Sequence, residues 1–148
     1  MTAWTLFACD STVRAQVADS FNPGSVSNVA IATVAVQPDA KILVGGLIHV
    51  LAGALRDDIG RLNSDGTADA FNPSSIDSPL ALAVQPDGKI LVGMFGNGLL
   101  RLNGDGTVDR GFTSAWTGTV HALALQPDGK ILVGGDGMPA ESATTSLD

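Results

Sequence analysis

The 148-residue sequence predicts an all-β fold: a partial β-propeller of antiparallel four-stranded blades, about two and a half of them, that does not close into a ring as a monomer. Three observations lead there. The segment Val120 to Gly135, VHALALQPDGKILVGG, joins two apolar runs through a Pro-Asp-Gly turn and has two earlier near-copies. The copies recur from Gln37 to Gln85 and from Gln85 to Gln126, spacings of 48 and 41 residues, and self-similarity at such a period marks propeller blades or solenoid units. After each of the first two copies comes a second hairpin signal, Asp65-Gly66 and Asp105-Gly106 between short apolar runs. Two hairpins per repeat make a four-stranded unit, the size of one blade.

Each hairpin follows from its residues. In the first run of each copy, Val34 and Val36, Leu82 and Val84, or Leu123 and Leu125 project to one face, while Ala35, Ala83 and Ala124 project to the other, because strand side chains alternate. A sheet with one bulky and one small apolar face expects a neighbouring sheet on both sides. In the turn, Pro presets φ, Asp bonds the backbone ahead and Gly takes positive φ. Ala40 replaces that Gly in the first copy, so the first hairpin is expected to be the least regular. The Ile-Leu-Val that follows suits a central strand.

In chain order, residues 1–18 match nothing later and are expected to be a weakly ordered lead-in. The repeat segment spans 19–135, divided as 19–72, 73–112 and an incomplete 113–135. Its joints are marked by Asp19-Ser20-Phe21-Asn22-Pro23, by Asp69-Ala70-Phe71-Asn72-Pro73 and more loosely by Asp109 to Phe112. Between the hairpins lies a variable segment, Leu47 to Asp58 in the first repeat and Met94 to Gly98 in the second, where a scaffold usually varies its surface. Residues 136–148 have no period and are expected to be a disordered tail.

Composition narrows the possible partners. Net charge is −7, and the eight basic residues are scattered singly from Arg14 to Lys130, so no basic patch exists for nucleic acid or an anionic membrane. The acid excess is solubilising. Cys9, the single cysteine, excludes an internal disulfide and any cysteine-based zinc cluster. The apolar stretch Ala3 to Cys9 is broken by Thr5 and has no cation before it, which makes a poor signal peptide and is too short for a bilayer.

The repeated VQPDGKILVGG followed by RLNxDGTxDxxF resembles the delta-60 repeat, a family of bacterial β-propeller repeats, over residues 19–135. The likeness is strongest at Gln85 to Gly93 and at Arg101 to Asp109. It implies a propeller fold and an exported or cell-surface setting in large proteins, and it supplies no catalytic residues or cofactor. WD40 repeats fit less well, since neither Trp4 nor Trp116 precedes an Asp.

The oxygen-rich loops Asn63, Asp65, Asp69 and Asn103, Asp105, Asp109 are the candidate metal positions. Calcium takes six to eight oxygens. An EF-hand-like register, however, puts Arg61 or Arg101 at the first ligand position and Asn72 or Phe112 at the twelfth. Hairpin turns account for the same residues without a metal. Lys41, Lys89 and Lys130 are read as solvated edge residues beside the turn carboxylates Asp39, Asp87 and Asp128. His49 and His121 have no His or Cys at ligand spacing. The nucleophile elbow, the zinc-protease motif and the phosphate loop are absent. The expected role is a non-catalytic binding or spacer module, part of a larger protein, with no cofactor. Its partners would be further blades in the same or another chain, and a protein or glycan ligand. The alternative is an oligomer that completes the ring and carries a sugar-binding, calcium-binding or hydrolytic site at its mouth.

Overall fold

The computed structural model describes residues 24, 27–74 and 76–139, and all their regular structure is β. The expected lead-in 1–18, the first joint at 19–23 and residues 140–148 of the tail lie outside the described residues. Among the described residues nine strands form: β1 (Ser27–Val36), β2 (Ile42–Leu51), β3 (Ala54–Leu55), β4 (Ile59–Leu62), β5 (Pro79–Val84), β6 (Ile90–Met94), β7 (Gly98–Leu102), β8 (Trp116–Leu125) and β9 (Ile131–Pro139). They make three antiparallel sheets, one per repeat: β1, β2, β3 and β4; then β5-β6-β7; then β8-β9. Strand β9 runs past Gly135 to Pro139, because Asp136, Gly137, Met138 and Pro139 pair with Thr119, Gly118, Thr117 and Trp116. The start of the expected tail is therefore the end of a strand.

The strand expected after the Asp-Gly turn is reduced to a single bridge in the first two units, Leu62↔Ala68 and Leu102↔Val108. The reason is local. In the Asp-Gly turn Asn63 N–H donates to Thr67 O (2.8 Å), and past the bridge Asp69 N–H donates to Arg61 O (2.9 Å). There the chain turns away, because the Asp69 carboxylate accepts the Phe71 N–H (2.8 Å). Asp109 does the same for Gly111 N–H at 3.0 Å. An acceptor that claims the next backbone donors leaves no ladder to extend.

The three Gln-Pro-Asp turns are alike, including the first. Gln37, Gln85 and Gln126 N–H each donate to the carbonyl of Lys41, Lys89 or Lys130 (2.8 to 2.9 Å). Ala40 occupies the left-handed region at φ 63, matching Gly88 at 84 and Gly129 at 86. The expected irregularity is thus absent, since flanking strand pairing holds Ala40 in a conformation unfavourable to its Cβ. Ala40→Gly is expected to raise stability by about 1 kcal/mol, read as a higher urea midpoint at unchanged slope.

The variable segment of the first repeat is a strand extension and not a surface loop. Leu47 to Leu51 continue β2, Ala52 (φ 50) and Gly53 (φ 76) make a tight turn, and Leu51 pairs back to Ala54. Positive φ at both turn residues suits the twist of a hairpin.

Packing between the sheets uses the two kinds of face. The small face of the first sheet, with Ala35, Leu43 and Ile59, meets the bulky face of the second, with Leu82, Val84, Ile90 and Val92. In turn, Ala83, Leu91 and Leu99 of the second meet Val120, Leu123, Leu125 and Ile131 of the third. The first strands β1, β5 and β8 touch in sequence order. Close approach is made possible by glycine: a Cβ on Gly45 would lie 3.2 Å from Pro79 Cγ, and one on Gly93 would lie 2.9 Å from Val120 Cβ.

Candidate functional site

The six oxygen-bearing candidates divide into turn residues and node residues. Asp65 accepts the Thr67 N–H (2.9 Å) and hydroxyl (2.7 Å), and the Asn63 amide donates to the same hydroxyl at 3.0 Å. Asp105, Thr107 and Asn103 repeat this arrangement. In both turns the threonine donors hold the aspartate below its ordinary pKa. These four residues fold the turn with their own side chains.

Asp69 and Asp109 are each the centre of a charged node. Asp69 accepts Lys41 Nζ (2.8 Å) and Arg61 Nε and Nη2 (3.0 and 2.8 Å), with the guanidinium 4.6 Å above the Phe71 ring. Asp109 accepts Lys89 Nζ and Arg101 Nε, both at 2.9 Å, with the guanidinium 4.5 Å above Phe112. Partial burial works to raise the Asp69 pKa, but the Lys41 ammonium, the Phe71 N–H and the Arg61 guanidinium outweigh it and hold the group at about 2. Lys89, the Gly111 N–H and Arg101 likewise lower Asp109. The Arg61 Nη1 also donates to Gly104 O (2.9 Å) in the second unit, so this node ties adjacent units together.

A carboxylate depressed in the folded state stabilises above its unfolded pKa and loses that stabilisation as pH falls toward its folded pKa. For Asp69 the window runs from its ordinary 3.8 down to about 2. Allowing for solvent screening, the contribution is on the order of 1 kcal/mol. Asp69→Asn is therefore expected to be less stable than wild type at pH 5, with the gap narrowing toward pH 2, as read by urea denaturation along a pH series.

The lysine expectation needs correction. Lys41 and Lys89 reach across to Asp69 and Asp109, not to the turn aspartates beside them; only Lys130 pairs with its turn neighbour, Asp128, at 2.9 Å. The cause is the second hairpin, which places an aspartate next to the lysine in the first two units. His121 Nε2 lies 2.9 Å from Asp136 Oδ2 as a cross-strand pair at the exposed rim. His49 is exposed on β2.

The cavity with the most regular lining lies where none of the candidate residues sits. The ends of β1, β5 and β8 bring Val36-Gln37-Pro38, Val84-Gln85-Pro86 and Leu125-Gln126-Pro127 to one open cavity of about 420 Å³. Three equivalent triplets, one from each unit, line a mouth whose floor is aliphatic and proline. Two of the glutamines are anchored from behind: Arg61 Nη1 donates to Gln37 Oε1 at 3.4 Å and Arg101 Nη1 to Gln85 Oε1 at 3.5 Å. The charged nodes therefore reach the mouth through its glutamines. Among the described residues no cluster of three or more His, Cys, Asp or Glu side chains could hold a metal ion. The sequence signal for the mouth was present, since the residues before a repeated turn in stacked sheets share one end of the stack. The node was signalled too: Arg61 and Asp69, like Arg101 and Asp109, straddle one turn at equal spacing.

Three stacked antiparallel sheets with repeated turns and a shared mouth define a run of β-propeller repeats. The model of a β-propeller family described as a domain of unknown function (DUF5122) matches residues 37–71, 85–112 and 126–146. The chain belongs to that family, in keeping with its likeness to delta-60 repeats. No curated protein matches the chain.

Proposed function

We propose that the chain is a non-catalytic binding or spacer module whose contact surface is the mouth, and that its ligand is an apolar segment of a partner protein. One observation carries this reading: three Val/Leu-Gln-Pro triplets from three units converge on one cavity of about 420 Å³. That volume suits a small ligand or a few side chains, and such sites combine an apolar lining with a few placed polar groups. Here the polar groups are the Gln37 and Gln85 amides, each held by an arginine. Carboxylates suited to acid-base chemistry do not line it. Nor does an aromatic ring on which a sugar could stack, which favours a protein over a glycan ligand.

The test is an amide chemical-shift titration of the labelled protein with N-acetyl-leucinamide and, in parallel, methyl α-glucoside. Leucinamide is expected to move the Gln37, Gln85 and Gln126 amides together, and Val36→Asp to weaken that response. Glucoside shifts at the same amides would replace the protein ligand by a sugar. Shifts scattered over the surface would refute the mouth as a binding site.

A further inference from the structure

We infer that the chain carries both halves of its own inter-unit contact on its two outer sheets, and that copies associate head to tail through an Ile31 knob seated in a Gly134 socket. The contact is seen twice inside the chain. Pro79 of the second unit sits against Gly45 of the first, and Val120 of the third against Gly93 of the second. In the repeat register, with each residue counted from its Gln-Pro turn, Ile31, Pro79 and Val120 are equivalent, as are Gly45, Gly93 and Gly134. The third socket is open toward the next unit: a Cβ on Gly134 would meet only Ala122 of its own sheet, at 3.6 and 4.0 Å. The first knob is likewise uncovered, Ile31 being 42% exposed while Pro79 and Val120 are buried.

The surroundings of knob and socket agree. Leu132 is the third equivalent of Leu43 and Leu91; those two are fully buried between sheets, and Leu132 is 40% exposed. Val34 and Val36 are equivalents of Leu82 and Val84, which pack on the preceding sheet, yet they are 55% and 68% exposed. One outer face thus lacks a bulky partner and the other lacks a small one. A second copy of this chain supplies both, by continuing the interface already made twice within it. Because the two patches differ, the contact is heterologous, and association proceeds until a ring closes or an open chain grows. This inference does not depend on what the mouth binds.

The experiment is light scattering coupled to size-exclusion chromatography across a concentration series, on wild type, Ile31→Asp and Gly134→Val. Wild type is expected to associate, and each variant to weaken association by more than about tenfold. The decisive sample is an equimolar mixture. Ile31→Asp retains an intact socket and Gly134→Val an intact knob, so together they make one good interface and are expected to form a dimer that stops there. That recovery also shows that both variants are folded. A monomeric wild type, association unaffected by both substitutions, or a mixture no more associated than its parts would each overturn the proposal.

Discussion

Phe71→Ala is expected to destabilise the protein by about 3–5 kcal/mol, whereas Phe112→Ala costs markedly less. The two rings occupy equivalent places, each beneath the guanidinium of its own unit, Arg61 or Arg101. What differs is the cover on the far side. Phe71 is 2% exposed because the second turn of the next unit lies on it: a Cβ on Gly106 would sit 3.2 Å from the ring. Phe112 is only half-buried. Removing Phe71 therefore opens a cavity between two sheets, and it also strips the packing from an arginine that holds Asp69 and Gly104. Urea denaturation of both variants measures the difference. Equal losses would show that the ring contributes within its own unit alone.

Gly93→Val is expected to cost about 3 kcal/mol or more, since overpacking a filled interface forces backbone shifts. Its new Cβ would fall within 2.9 Å of Val120 Cβ, closer still to Cγ1, and 3.3 Å from Ala81 Cβ. Strand pairing fixes all three positions, Gly93 opposite Ala81 in one sheet and Val120 opposite Gly135 in the next, so none of them can withdraw cheaply. The same substitution at Gly134 meets ordinary contact with Ala122 and is expected to leave monomer stability within about 1 kcal/mol of wild type. A paired thermal or urea measurement separates the two glycines, which the repeat makes equivalent in sequence but not in surroundings.

The contrast between those glycines shows what could be read in the chain beforehand. The hairpins were legible, because Pro-Asp-Gly and Asp-Gly fix local backbone geometry whatever surrounds them. The alternation of Ala83 with Leu82 and Val84 likewise announced a sheet covered on both faces. Ala40 misled, since strand pairing on both sides overrode the preference of its Cβ and kept the turn regular. The segment after each Asp-Gly turn makes one bridge where the two-hairpin pattern suggests a strand, because Asp69 and Asp109 redirect the chain, an effect of side-chain acceptors and not of strand propensity. The oxygen-rich loops have the composition of ligand sets, but their aspartate carboxylates are engaged by threonine, lysine and arginine donors. The repeat register places the three Gln-Pro triplets at one end of the stack, but the cavity they enclose depends on distances between stacked sheets, and the lysine partners depend on how the two hairpins of one unit pair; neither is written in spacing along a strand.

That stacking is a glycine socket receiving the apolar knob of the next unit, and the double-mutant cycle of Gly93→Val with Val120→Ala tests it most directly. Each single substitution is expected to destabilise, Gly93→Val by crowding and Val120→Ala by leaving a cavity. If the two side chains fill one space, the double variant recovers stability, with a coupling of about 1–3 kcal/mol by urea denaturation. Strict additivity of the two losses would contradict the socket and, with it, the packing of the repeats.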